Sequence, residues 1–217
     1  MDTATLLKLL HLADSALPIG GAAHSFGIES LVDAGLLEAG NLEAFFVGYL
    51  EETGALEASY CVRSSELAHN ASSLNDWFFL NAELGARKLA REPREASIAM
   101  GRRFIQLAAN MTNHTLLWSA SDRGGEVHLA ACFGLVAGTL HLDARIAAAA
   151  YLQQSVATLI SCCQRLLPLG QTRAHQVLWN LKPAIFEAAG GAGAAFTPIL
   201  DVLAARHATL RTRLFVS

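Results

Sequence analysis

The sequence predicts an all-α fold, a single-domain bundle of about eight to ten helices. Three observations lead there. Apolar residues recur at helical spacing, as in Leu42, Phe45, Phe46, Tyr49 and Leu50, which would share one face of a helix. Alternating β-branched residues are nearly absent. The breaks between periodic segments carry Gly, Pro or helix-capping residues. A chain of 217 residues can bury one sizeable core. With 53% hydrophobic and 16% charged residues, it has apolar surface to spare for protein contacts.

Residues 3–13, TATLLKLLHLA, form a short apolar helix or a strand-like arm, with Thr3 as its cap. The stretch Asp14 to Glu29, DSALPIGGAAHSFGIE, separates two apolar segments and is rich in residues that control backbone shape. Pro18 fixes its own φ and pushes Leu17 toward extended geometry. Gly20 and Gly21 open conformations closed to other residues. This loop either presents Ser15, His24 and Ser25 at a surface or is a plain helix–loop–helix corner. Ser25 is placed to cap a helix that runs to Ala34 and closes at Gly35. Asn41 is placed to cap the next, which runs toward His69 with Gly54 as its weak point.

Asn70–Ser73 reads as a loop, and Ser73 with Asp76 makes a start like a capping box for a helix over 74–91. That helix carries Trp77, Phe78, Leu80, Leu84 and Leu89. Pro93 opens a segment through Met111. The run 121–125, SDRGG, is a turn before an apolar helix over 126–140. Asp143 caps a helix over 144–167, with an apolar stripe of Leu152, Val156, Leu159, Cys163 and Leu166 and a polar one of Gln154, Thr158, Ser161 and Arg165. Pro168–Leu169–Gly170 ends it, and Thr172 begins a helix through Glu187. Gly190, Gly191 and Gly193 form a flexible joint, dividing a helical domain over 1–196 from a C-terminal tail over 197–217.

Charge and motifs exclude several function classes. A net charge of −3 argues against nucleic-acid binding driven by phosphate neutralisation. No basic segment followed by an apolar core marks a signal peptide. The stretches 128–142 and 146–163 are interrupted by His128 and His141 or by Gln153 and Gln154, short of the ~20 clean residues of a membrane span. A cytoplasmic protein is expected. Cys61, Cys132, Cys162 and Cys163 make no C-x-x-C pair and read as buried free thiols.

No two histidines stand four apart, and no H-E-x-x-H, Walker or G-x-S-x-G motif occurs. His24 beside Ser25 would need a third group to orient the base. His128 and His141, each alone on an apolar segment, read as hydrogen-bonded structural residues. The tail sequence RTRLF alternates Arg211 and Arg213 with Leu214 and Phe215, residue types that anchor interfaces. It either orders on docking to a partner or folds back on its own core.

These residues carry a resemblance. Leu17, Pro18, Gly20, Gly21, Ser25, Gly27 and Glu29 resemble, in order, the N-terminal signature of the UreF family of urease accessory proteins. Ala22 stands where that signature has an aromatic, and Ile28 where it has Leu. Gly101–Arg102 and Phe133–Gly134–Leu135, with His128 upstream, are similar to the family's middle segments. Arg165–Leu166–Leu167–Pro168–Leu169–Gly170–Gln171 resembles its Arg-Leu-x-Pro-Leu-Gly-Gln motif. Asp201, Arg206, His207, Arg213, Leu214, Phe215 and Ser217 resemble its C-terminal pattern, with Ala208 in place of a Glu.

The resemblance implies a non-enzymatic accessory protein, usually a homodimer. It would bind UreD (also called UreH) and recruit the GTPase UreG, so that nickel enters apo-urease. Nickel would be handled by the complex, with no cofactor held tightly by this chain. Partner contacts are expected at Pro18, Gly20, Gly21, His24, Ser25 and Glu29 in the loop, and at Arg165 and Gln171, which otherwise cap two helices. In the tail they are expected at His207, Arg211, Arg213, Leu214 and Phe215. Two alternatives stand beside this reading. One is a regulator of UreG GTP hydrolysis through Arg165 or Arg213. The other is a small metal-dependent enzyme using His24 and Ser25.

Overall fold

The computed structural model describes residues 1–69, 74–191, 193, 197–207, 210 and 212–216, and no strand occurs among them. Helix α1 (Thr3–Leu12) is capped by Asp2, whose Oδ1 accepts the Thr5 N–H at 2.9 Å, rather than by Thr3. Helix α2 (Ile28–Asp33) starts later than Ser25 predicts, because Phe26 and Gly27 both adopt positive φ, 51° and 89°. Gly35, at φ 68°, ends it in a Schellman motif, with Leu36 N–H on the Leu31 carbonyl and Gly35 N–H on that of Val32.

Asn41 precedes α3 (Leu42–Tyr49) but does not cap it. Its side chain turns back to accept from Glu38 N–H and donate to the Leu36 carbonyl. The weak point at Gly54 is a π-turn over Leu50–Gly54 that divides α3 from α4 (Ala55–Leu67). Leu42, Phe46 and Leu50 are buried, with Phe45 and Tyr49 half-buried beside them. The expected loop Asn70–Ser73 and the Ser73 cap lie outside the described residues. Helix α5 (Leu74–Arg87) buries Trp77, Leu80 and Leu84, but ends before Leu89, which is exposed.

Helix α6 (Arg91–Thr112) carries Pro93 in its first turn. Helix α7 (Thr115–Arg123) takes up most of the predicted SDRGG turn and leaves only Gly124 and Gly125 to reverse the chain. Its N-terminus is capped by His114 Nδ1, which accepts from Leu116 N–H. Helix α8 (Leu129–Thr139) precedes α9 (Ala144–Leu166), capped as predicted by Asp143 accepting from Ile146 N–H at 2.9 Å. The segment expected as one helix to Glu187 breaks at Leu181 into α10 (Gln171–Asn180) and α11 (Lys182–Ala188). Pro183 in the first turn of α11 accounts for that break, since it removes an N–H donor. Helix α12 (Pro198–Arg206) follows. These short elements raise the number of helices above what the loops predict.

The centre of the bundle is α8, buried from Leu129 to Gly138 and packed on α4, α6 and α9. Its glycines let the α4 backbone approach. A Cβ on Gly134 would stand 2.0 Å from the Cys61 carbonyl oxygen, and one on Gly138 2.4 Å from that of Ser65. Phe133 stacks on Phe104, centroids 5.5 Å apart. Among the described residues α9 alone has the length and apolarity to cross a membrane, and here it is a core helix packed against α4 and α8.

Candidate functional site

The signature loop and the C-terminal tail, far apart in sequence, meet on α2, α6 and α9. Two arginines hold the loop. Arg103 of α6 donates to the Ile19 carbonyl at 3.3 Å, against Gly20, whose φ is 87°. A Cβ at Gly20 would stand 2.2 Å from the Arg103 guanidinium. Arg165 of α9 donates to the Ala22 carbonyl at 3.0 Å. Cys162, one residue-turn away on α9, directs its thiol at the His24 carbonyl.

Glu29 of α2 receives the tail. Its Oε1 accepts Leu214 N–H at 2.7 Å, and its Oε2 accepts Phe215 N–H at 3.2 Å. The same Oε2 lies 2.8 Å from His207 Nε2, while His207 Nδ1 lies 2.7 Å from Glu92 Oε2. Glu92 Oε1 accepts from Arg213 at 3.0 Å. Burial works against the charge on Glu29, but the Leu214 N–H, His207 and the Phe215 N–H outweigh it and hold the carboxyl below its ordinary value. The tail is also tied to the loop directly. Val216 N–H donates to the Ala23 carbonyl at 2.8 Å, and the buried Phe215 ring lies under the Arg165 guanidinium. Gly27 packs on Leu200 and Ala204 of α12.

The cluster therefore joins Glu29, Arg165, His207, Arg213, Leu214 and Phe215 of the expected contact residues. Pro18 is exposed, and Gly20 and Gly21 are half-buried. Gln171 is exposed at the start of α10, and Arg211 lies outside the described residues. Ser15 is exposed, but the surface display expected for His24 and Ser25 is corrected: both are buried, because the loop folds inward over α9. Ser25 Oγ makes no hydrogen bond, so His24 is not its base. Burial, with the Arg103 charge, holds His24 below the ordinary histidine value. Gly193, expected in a flexible joint, sits so close to α4 that a Cβ there would stand 2.1 Å from Leu56 N.

Sequence reasoning missed Glu92, Arg103 and a second polar cluster. Glu57, buried on α4, accepts from Tyr151 at 2.6 Å and pairs with Lys88. Burial opposes the Glu57 charge, but Lys88 overcomes it and keeps the carboxyl below its ordinary value. This pair lies at a cavity of about 180 Å³ walled by Ile19, Phe26, Met100, Leu159 and Leu200. His128 is buried with Nδ1 3.2 Å from Ser97 Oγ, as a structural histidine. His141 is exposed and stacks on His69, centroids 5.6 Å apart. Among the described residues no three His, Cys, Asp or Glu side chains group as metal ligands. All four cysteines are buried, and burial pushes Cys162 up to about 11 and Cys163 up to about 12.

Comparison with known proteins adds to this geometry. The family model described as UreF matches residues 37–182. The urease accessory protein UreF of Paenarthrobacter aurescens (strain TC1) is 32% identical over 231 residues, covering 100% of both chains. That of Lachnoclostridium phytofermentans is 30% identical over 98% of each chain. That of Nostoc sp. (strain PCC 7120) is 33% identical over 87% of this chain and 84% of its own. The matched span 37–182 contains Glu92, Arg103 and Arg165, whereas the loop and tail that they hold lie on either side of it.

Proposed function

The chain belongs to the UreF family of urease accessory proteins, and from that membership we propose a non-catalytic maturation scaffold that binds UreD (UreH) and recruits the GTPase UreG for nickel insertion into apo-urease. The observation that carries the reading is the loop–tail cluster. Its underside is fastened by hydrogen bonds to Glu29 and by the Arg213–Glu92 ion pair, while Leu214 and Val216 point outward at 58% and 66% exposure. Ile199 and Val202 on α12 are exposed as well. Apolar side chains displayed on a rigid base lose little entropy when a partner covers them, and such exposure is a signature of protein contact. We propose UreD as the partner that covers this face. The reading includes a homodimer, which the apolar composition suits, and a cytoplasmic setting.

Arg165 and Arg213, the arginines a GTPase regulator would offer, are engaged with Ala22 and Phe215 and with Glu92. The buried Ser25 hydroxyl makes no hydrogen bond to His24, which leaves the alternative of an enzyme built on that pair without support. The scaffold reading is the better supported. The test is urease activation in cells lacking this chain, with nickel content of the purified urease as the readout. Loss of both activity and bound nickel, restored by the chain, is expected; unchanged nickel loading would overturn the proposal.

A further inference from the structure

We propose that His207 is a protonation-controlled fastening for the tail: as an imidazolium it ties Glu29 to Glu92, and on losing that charge it lets residues 212–216 come away from α2. The side chain is 1% exposed, with each ring nitrogen within hydrogen-bond reach of a carboxylate oxygen, 2.8 Å to Glu29 and 2.7 Å to Glu92. A neutral imidazole has one N–H. It could serve one of these oxygens, and its other nitrogen would set a lone pair against the second.

The carboxylates cannot supply the missing proton without giving up other bonds. Glu29 already accepts two backbone N–H groups, from Leu214 and Phe215. Glu92 accepts from Arg213. Glu29 is therefore held ionised by donors other than His207, and a doubly protonated ring is the state that gives both carboxylate oxygens facing it a donor.

The charges balance in that state. Glu29 from α2 and Glu92 from α6 face His207 at the end of α12 and Arg213 from the tail. Arg213 Nη2 lies 3.2 Å from His207 Nδ1, so the guanidinium opposes the ring's charge while the two carboxylates favour it. Deprotonation leaves two carboxylates against one half-exposed arginine. The strain falls on Glu29 Oε2, the oxygen shared by His207 and Phe215 N–H. The fastening of the tail is thus lost as pH rises, whereas the contacts of Val216 and Phe215 with Ala23 and Arg165 contain no titrating partner near neutrality.

The experiment is amide hydrogen exchange at Leu214 and Phe215 in the full chain, corrected for intrinsic rates, from about pH 6 to 9. The His207 ring state is followed by NMR in the same samples. Protection should fall about ten- to a hundredfold as His207 loses its proton, the loss of one charged hydrogen bond. His207→Gln should show low protection at every pH with unchanged helix content. A neutral His207 ring at a pH where both amides remain protected would overturn the proposal, as would protection that ignores its titration. Should the Gln variant not fold, the wild-type titration decides alone.

Discussion

The guanidinium of Arg165 lies 4.2 Å above the ring of Phe215 while donating to the Ala22 carbonyl, so a single α9 side chain clamps the signature loop to the tail. Phe215 is the tail's one buried aromatic among the described residues. Phe215→Ala is expected to weaken tail attachment by about 3 kcal/mol, as for a large core truncation. Arg165→Ala removes an exposed cation–π contact and one hydrogen bond, about 1–2 kcal/mol. Exchange of the Val216 amide, which bonds Ala23, reports both.

The glycines of the bundle separate by what surrounds them. Gly134→Ala would drive a methyl into the α4 backbone at Cys61 and should destabilise by about 3 kcal/mol, the cost of overpacking a close crossing. Gly48 in α3 has nothing within 4 Å of a Cβ position. Gly48→Ala should therefore stabilise by about 0.5–1 kcal/mol through helix propensity and unfolded-chain entropy. Urea unfolding of both variants checks the pair.

Acid stability should carry the mark of His128. Burial lowers this histidine from 6.5 to about 4. The unfolded chain therefore takes up a proton that the folded one refuses, and stability is lost as pH falls from 6.5 toward 4. The loss is of order 3 kcal/mol. His128→Leu should flatten part of the fall in urea midpoint between about pH 7 and 4.5, although the variant also gives up the Ser97 bond at all pH values. An equal fall in both proteins would contradict the assignment.

Much of the fold was legible in local pattern. The face of Leu42, Phe46 and Leu50, the Asp143 cap and the Gly35 stop are set by neighbours along the chain, and the structure keeps them. Capping went astray at Thr3, Ser25 and Asn41, where a nearby side chain or a positive φ satisfied the backbone instead. The site was legible as two halves. Loop and tail each held interface-type residues, but no spacing rule connects His207 to a glutamate 178 positions away. Glu92 belongs to no motif in the sequence and gains its role only where the tail folds onto it.

The most direct test of the docking surface is co-purification of UreD and UreG with the Leu214→Glu, Val216→Glu double variant. Both positions are exposed, so the charges should leave the fold intact by circular dichroism. The expected result is a folded chain that no longer holds UreD and therefore assembles no ternary complex. A ternary complex formed by the double variant as well as by the wild-type chain would contradict the assignment of the tail as the partner-facing surface.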